Sequence, residues 1–151
     1  VLGLILVSCK SKSPVKTNTK VSAQVDIKGE WVISSVTYPG SDYIKINSFD
    51  IADSKCFEGS KWKFISNNNE GTMSLTSANC TAFSSQITWY INQDKQLVLK
   101  VIQADMKAKK VRSGYVLTVA NQTETSFQLV DNISVGTKPT NVIYQFNKTS
   151  K

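Results

Sequence analysis

QITWYINQDKQLVLKVI, residues 86–102, contains two bulky apolar runs joined by a short polar link. Runs of this length that are rich in Ile, Val, Leu and aromatic residues are typical of β-strands. The link NQDKQ, at 92–96, is turn-like, so the two strands are predicted to be antiparallel neighbours. QLVLKVI and the later GYVLTVA, at 114–120, are apolar on both faces over part of their length. We therefore expect the outer faces of these two segments to be covered.

The same character recurs along most of the chain, where bulky and polar side chains alternate as they do in half-buried strands. The eight candidate strands are 30–38, 61–66, 71–77, 86–92, 96–102, 114–120, 125–131 and 141–147. Short links imply an up-and-down meander, and eight such strands can close on themselves and so remove exposed edges. The sequence predicts an all-β fold, an eight-stranded antiparallel up-and-down barrel. A two-sheet β-sandwich is the alternative.

The composition weighs against catalysis. The chain has 151 residues, 40% of them hydrophobic, and no histidine. Its length suits one domain with a substantial core. Without histidine, the pairings that activate most nucleophiles and the commonest metal ligand are missing. An enzyme would need a carboxylate pair or a polar cluster inside the barrel, but the strands offer few acidic residues, and Glu30 and Asp131 fall at the ends of candidate strands. We predict that the protein is not an enzyme and holds neither metal nor cofactor.

The N-terminal segment points to a lipid anchor. Residues 1–7 are apolar but too few to span a bilayer, which takes about 20 residues. They fit the tail of a secretion signal, so residues 1–8 are interpreted as its remnant. The following Leu6-Val7-Ser8-Cys9 resembles the bacterial lipobox, in which the cysteine is acylated and becomes the mature N-terminus. This resemblance implies that Cys9 is lipidated and binds the membrane. The alternative is an ordinary buried cysteine.

Residues 9–28 are polar and are interpreted as a flexible tether. They hold five lysines and one aspartate, so they carry +4 of the net charge of +7. Lysines beside a lipid anchor can contact anionic headgroups, whereas a nucleic-acid-binding protein would concentrate charge on its folded face. No nucleic-acid partner is predicted. A second basic stretch holds Lys107, Lys109, Lys110 and Arg112. It is either an anion or membrane-surface patch or a solvated connection.

Gly29-Glu30-Trp31 resembles the G-x-W signature of lipocalins, in which the tryptophan plugs the closed end of the barrel. Together with CFEGSKWKFISNNNEGTMSL, ITWYI, SGYVLTV and IYQF, it makes residues 29–149 similar to the lipocalin-like lipoproteins of Bacteroidetes-type bacteria. The resemblance implies a lipocalin-like β-barrel domain over 29–149 that is secreted and anchored. We predict a monomer in the bacterial cell envelope, an outer-membrane lipoprotein facing the periplasm. Lipocalins commonly place a basic residue over the signature tryptophan, and Lys148 is the candidate here.

Cys56 and Cys80 remain once Cys9 is assigned to the lipid. Export brings them into an oxidising compartment, where an even pair most simply forms a disulfide. The alternative is a redox-active or metal-binding pair, but the sequence has neither C-x-x-C spacing nor a histidine to complete such a site.

One set of bulky residues on the candidate strands is predicted to face the barrel interior. Its members are Trp62, Phe64, Met73, Trp89, Leu99, Tyr115, Leu117, Phe127 and Tyr144. A barrel of this size either binds one small ligand or is filled by its own side chains. Two functions follow. The first is non-catalytic binding of a small hydrophobic molecule inside the barrel. The alternative is a structural or interaction protein of the envelope with a filled core.

Overall fold

The computed structural model describes residues 26–102 and 114–149. The strands are β1 (Gly29–Thr37), β2 (Asn47–Ser48), β3 (Ala52–Asp53), β4 (Lys61–Ile65), β5 (Glu70–Leu75), β6 (Phe83–Ile91), β7 (Gln96–Ile102), β8 (Tyr115–Ala120), β9 (Ser126–Val135) and β10 (Lys138–Lys148). A short 3-10 helix covers Ser54–Phe57. No helix in the described segments is long and apolar enough to cross a membrane. Cys9, the predicted signal remnant, most of the predicted tether and the basic stretch lie outside the described residues.

Eight of these strands form a closed antiparallel barrel. Each strand from β4 to β10 pairs with its neighbour in sequence, and β1 closes the circle by pairing with both β10 and β4. The predicted eight-stranded up-and-down barrel is therefore confirmed, and the β-sandwich alternative is wrong. The remaining two strands, β2 and β3, form a small hairpin in the connection between β1 and β4.

Alternation of side chains along the strands builds the core. In β4, Trp62 and Phe64 are buried while Lys61 and Lys63 are exposed. Burying one apolar face of each strand and leaving the other in water follows from the two-residue period of extended chain. The expectation of covered outer faces holds for β7, where Val98 is buried. It is wrong for β8, because Val116 is about half exposed.

The hairpin of β9 and β10 is longer than the sequence predicts. The candidate strand 125–131 continues to Val135, and β10 begins at Lys138 rather than near residue 141. Gly136, with φ of 63°, makes the tight turn between them. Pro139 is tolerated because the pairing of β10 with β1 ends at Ile143, which leaves Pro139 paired with β9 alone. Asp131 is thus not at the end of its strand.

The connections divide the barrel into two ends. Three short connections, at 66–69, 92–95 and 121–125, join strands at the end where β1 begins. The long segment between β1 and β4 and the turn at Gly136 lie at the opposite end. We call the first the closed end and the second the open end, and the two differ in what fills them.

Candidate functional site

Trp31 plugs the closed end. Its indole nitrogen donates a hydrogen bond of 2.7 Å to the carbonyl oxygen of Ile27, and its ring packs edge-on against Phe127 at 4.6 Å between centroids. The ammonium group of Lys148 lies 5.5 Å from the Trp31 ring centroid, within range of a cation–π interaction. Lys148, the candidate basic residue, therefore does lie over the signature tryptophan. Gly29 starts β1 with φ of 123°, a conformation that favours glycine.

The nine predicted interior residues come together in one apolar cluster. Eight of them are buried, and Tyr115 is partly buried against the cluster. Polar atoms within the cluster have internal partners: Trp89 donates to the carbonyl oxygen of Glu70 at 2.9 Å, and Trp62 donates to the hydroxyl of Ser60 at 2.8 Å. The strand pattern thus predicts the inner wall. The role of these nine residues in ligand binding stays a prediction.

Aromatic contacts run from the closed end into the middle of the barrel. Phe127 stacks on Phe146 at 4.6 Å with the ring planes 8° apart, and Phe146 packs edge-on against Trp62 at 5.6 Å. Phe64 stacks on Trp62 at 6.0 Å and contacts Trp89 at 5.2 Å. Each such pair contributes about 0.5 to 1.5 kcal/mol beyond its buried area. This half of the interior is therefore held together by ring packing between strand residues.

The open end is plugged instead by a loop residue, Phe49. Its ring lies 5.1 Å from Tyr115, 5.3 Å from Tyr144 and 6.3 Å from Trp62, measured between centroids. Phe49 and Asp50 have φ of 55° and 53°, in the left-handed region, which costs about 1 to 2 kcal/mol for a residue with a side chain. The tight turn between β2 and β3 thus inserts a phenyl ring into the barrel mouth at a conformational cost.

Two hydrogen-bonded groups attach this loop to the barrel. The Tyr144 hydroxyl bonds the Ser48 hydroxyl at 2.5 Å, and Ser48 bonds Ser54 at 2.7 Å. Tyr115 donates its hydroxyl proton to the Asp50 carboxylate at 3.0 Å. The plug is therefore joined to β10 and β8 by polar contacts as well as by Phe49. Both tyrosine hydroxyls at the mouth are already engaged.

Burial and nearby carboxylates keep these phenols protonated. Burial, followed by the hydrogen bond and charge of Asp50 and the charge of Asp131, raises the pKa of Tyr115 to about 12. Burial also raises the pKa of Tyr144 well above its usual value, with a smaller contribution from the charge of Asp131, although the Ser48 hydrogen bond acts in the opposite direction. At neutral pH both side chains are neutral hydrogen-bonding groups.

Asp131 is the polar exception on the inner wall. It follows the buried Phe127 and Leu129 at two-residue spacing on β9, and it pairs in register with the buried Val142 of β10. Its carboxylate has no hydrogen bond or ion pair with any residue of 26–102 or 114–149. Burial raises the pKa of Asp131 above its usual 3.8. A half-buried carboxylate without a partner is costly, and such groups are frequent at functional sites.

The barrel wall is also interrupted beside Asp131. The β8–β9 ladder covers Ala120–Gln128 to Thr118–Val130 and ends there. Toward the open end, Tyr115 to Leu117 pair only with β7 on the described part of the barrel, and residues 131–135 pair only with β10. Among the described residues, β8 and β9 are therefore not paired with each other toward the mouth; we call this gap the seam, and Asp131 lies at its inner end.

The cysteine prediction is confirmed. Cys56 and Cys80 form a disulfide with their Cα atoms 5.8 Å apart. It ties the 3-10 helix of the open end to the connection between β5 and β6. A surface groove of about 470 Å³ lies beside this disulfide, between it and residues 38–45, and none of the nine predicted interior residues lines it.

The sequence reasoning missed the residues of the open end. Phe49 and Phe57 were not among the predicted interior residues, although both are buried and their rings lie 5.3 Å apart. The available signal was two phenylalanines within a segment otherwise rich in Ser, Asp and Gly. The sequence pattern predicts a strand end at Asp131, whereas the residue lies inside β9.

Comparison with known proteins agrees with the geometry. Residues 27–129, more than half of the chain, match the family model described as a lipocalin-like domain. The match starts just before Trp31 and ends at Leu129 in β9. No curated protein and no solved structure matches the chain.

Proposed function

Because this chain belongs to the lipocalin-like domain family, we propose that it binds a small, largely apolar molecule at the open end of its barrel and does not transform it. A lipocalin-like barrel domain suggests small-molecule binding, and the family is generally a non-enzymatic binding fold. The binding site at the open end and the apolar character of the molecule are the parts that we propose.

One observation carries the proposal: the two ends of the barrel are plugged by different kinds of residue. Trp31 belongs to β1 and is held by Ile27 and Lys148. Phe49 belongs to a tight turn, and moving it breaks no strand pairing of the barrel. Displacing its ring would expose the faces of Tyr115, Tyr144 and Trp62 to an incoming apolar group. Burial of apolar ligand surface there contributes about 25 cal/mol per Å² before ordering costs.

The proposed site offers hydrogen bonding rather than proton transfer. The raised pKa values of Tyr115 and Tyr144 make both hydroxyls poor general acids or bases near neutral pH. Their hydroxyl groups hold the loop in place. We therefore assign the mouth to recognition and not to chemistry.

We further propose that Cys9 anchors the protein, as a monomer, in the bacterial outer membrane facing the periplasm. The basis is the sequence Leu6-Val7-Ser8-Cys9 followed by a lysine-rich segment. The described chain begins at Asp26, next to Ile27 under the Trp31 plug, so the anchored segment joins the closed end. Replacing Cys9 with serine is expected to move the protein from the membrane fraction to the soluble fraction. Unchanged membrane retention would contradict the anchor.

A second function is favoured by one specific observation. The ring contacts from Trp31 through Phe127, Phe146 and Trp62 continue to Phe49, so aromatic packing extends from one end of the barrel to the other. Such packing also suits a structural or interaction protein of the envelope that uses its outer surface.

Solvent extraction of the protein purified from its own host, followed by mass spectrometry, distinguishes the two functions. Binding predicts a co-purifying small molecule present in the native protein and depleted from a Phe49→Trp variant, whose larger ring fills the mouth. Phe127→Trp, which alters the closed end, serves as the matched control. Native protein that yields no small molecule, together with apolar probes that leave the tryptophan fluorescence unchanged, would favour the filled-core function.

A further inference from the structure

The inner wall of β9 carries a carboxylate where the neighbouring positions carry apolar groups. Phe127 and Leu129 are buried on one side of Asp131, and Ile133 and Val135 pack against the core on the other. With a period of two along a strand, all five face the same side of the sheet. Asp131 therefore faces the barrel interior near its mouth.

Hydrogen-bond donors near Asp131 are already committed elsewhere. The Tyr115 hydroxyl donates to Asp50, and the Tyr144 hydroxyl is bonded to Ser48. Tyr144 lies two residues along β10 from Val142, the register partner of Asp131, so the two side chains face the same side of the sheet. Consistent with this placement, the charge of Asp131 raises the pKa of Tyr144 and of Tyr115. Yet the described residues supply the Asp131 carboxylate with neither a hydrogen bond nor a cation. A half-desolvated carboxylate is stabilised most by a group that brings positive charge and a donor together.

We propose that Asp131 is the head-group anchor of the open-end site and that the ligand is an apolar molecule bearing a protonated amine. This inference rests on the proposed function of apolar binding at the mouth. The carboxylate accepts the ammonium hydrogen bond. Beside it, at the seam, β9 has no strand partner on the β8 side within the described part of the chain. The apolar part of the molecule takes the place of the Phe49 ring.

The surrounding rings and charges discriminate among head groups. Aromatic faces attract cations, and Tyr115 and Tyr144, whose rings contact Phe49 before it is displaced, supply two such rings at the mouth. Asp50 adds a second negative charge next to Tyr115. Among the described residues, an anionic head group, such as the carboxylate of a fatty acid, would meet two like charges. The site therefore selects amines over alcohols and alcohols over carboxylates.

The test uses three probes with the same alkyl chain, dodecylamine, dodecanol and dodecanoate, each kept below its solubility limit and, for the two ionic probes, below the micelle concentration. They are titrated at neutral pH into the full 151-residue chain carrying Cys9→Ser, with the disulfide formed. Calorimetry and tryptophan fluorescence report binding, since Trp62 lies next to Phe49. We expect dodecylamine to bind about tenfold more tightly than dodecanol, because one charge-assisted hydrogen bond contributes about that difference in affinity. Dodecanoate is expected to bind most weakly.

Two variants make the assignment specific. Asp131→Asn is expected to reduce dodecylamine affinity to that of dodecanol while leaving dodecanol affinity unchanged, which also shows that the mouth is intact. Asp94→Asn makes the same charge change in the connection between β6 and β7, at the closed end, and is expected to preserve the preference for the amine.

Each outcome has a distinct meaning. If none of the three probes binds, the proposed function itself is wrong. If all three bind alike, or if Asp131→Asn keeps the amine preference, apolar binding stands and the role of Asp131 is wrong. If Asp94→Asn removes the preference as completely as Asp131→Asn does, the effect comes from net charge, and the head-group anchor is also wrong.

Discussion

An aromatic side chain plugs each end of this barrel, but the two side chains differ in the backbone that carries them and in their neighbours. At the closed end, Trp31 is part of a strand and is covered by Lys148. At the open end, Phe49 is part of a turn in left-handed backbone, and Asp131 on β9 has no hydrogen-bond or ion-pair partner among residues 26–102 and 114–149. The closed-end plug therefore combines favourable interactions with regular strand backbone, whereas the open-end plug is itself in left-handed backbone near a half-desolvated carboxylate. Left-handed residues as such occur at both ends, since Asn69, Lys95 and Asn121 lie in the closed-end connections. Natural proteins retain strained backbone and desolvated charges mainly where function requires them. This difference between the two plugs supports the proposal that a ligand binds at the open end.

The largest effect is expected from truncating the closed end. Phe127→Ala removes a ring that contacts both Trp31 and Phe146 at 4.6 Å. Because the strands around it cannot collapse, the free energy of unfolding is expected to fall by about 3 to 5 kcal/mol. Urea denaturation measures this loss. Ile65→Ala, an exposed position on β4, is the control and is expected to change little. A loss at Phe127 no larger than the loss at Ile65 would contradict a tightly packed closed end.

The disulfide is expected to have the next largest effect. Replacing Cys56 and Cys80 together by alanine opens a loop with a sequence separation of 24. Loop-closure entropy predicts a loss of about 3 kcal/mol in the free energy of unfolding. Reducing the wild-type protein with dithiothreitol and denaturing it in urea gives the same quantity independently. If the double variant were as stable as the oxidised wild type, the disulfide would not be what secures the open-end segment.

Phe49→Ala is the matched counterpart of Phe127→Ala at the open end. We expect a smaller loss, about 2 kcal/mol, because the turn can move into the vacated space. The alanine remains in left-handed backbone, so the strain is not relieved. Dodecanol affinity is expected to rise in Phe49→Ala, because the mouth no longer has to be emptied of a ring, and to stay unchanged in Phe127→Ala. If Phe49→Ala and Phe127→Ala lost equal stability and bound dodecanol with the same affinity, the two ends would not differ as proposed.

The sequence predicts the closed end better than the open end, and the reason is physical. Alternation along β4 identifies Trp62 and Phe64 as inner-wall residues, and Gly29 with Trp31 marks the closed end. These signals are local, because a strand buries every second residue wherever it lies. Phe49 has no such periodic signal, since tertiary contacts alone bring its turn into the mouth.

Asp131 shows a second limit of the same kind. The residues after it include Asn132, Gly136 and Pro139, which are typical of loops. The strand continues because β10 folds back and pairs with it as far as Lys138 and Val135. Local composition therefore predicts a strand end where long-range pairing extends the strand. The inward position of the carboxylate follows from this extension.

Lys148 provides a smaller test of the closed end. Its ammonium group lies 5.5 Å from the Trp31 ring centroid, and the side chain is exposed. Lys148→Met keeps much of the alkyl stem but removes the charge, so we expect a loss of about 0.5 to 1 kcal/mol in the free energy of unfolding. Lys61→Met, on the outer face of β4, removes an equal charge without a ring contact and is the control. An equal effect of both variants would assign the change to net charge.

The last and smallest effect concerns Asp131 and pH. Burial raises the pKa of this carboxyl in the folded protein above its ordinary 3.8, so between these two values the folded state binds more protons than the unfolded state. The stabilisation associated with the protonated form is therefore present below the ordinary value and is lost as pH rises through the folded-state pKa. Asp131→Asn removes this dependence. The melting temperature of the variant relative to wild type is expected to increase from acidic to neutral pH.

The neighbouring groups are not expected to add a difference between wild type and Asp131→Asn in this pH range. Tyr115, with a pKa raised to about 12, and Tyr144, with a pKa raised further by burial, stay neutral throughout, and Asp50 is present in both wild type and variant. Asp94→Asn, at the closed end, is expected to give no such rise. If Asp131→Asn instead melted at a lower temperature at neutral pH, the ionised carboxylate would have a stabilising partner within the protein. The open end would then be as fully satisfied as the closed end, and the contrast between them would no longer point to a ligand.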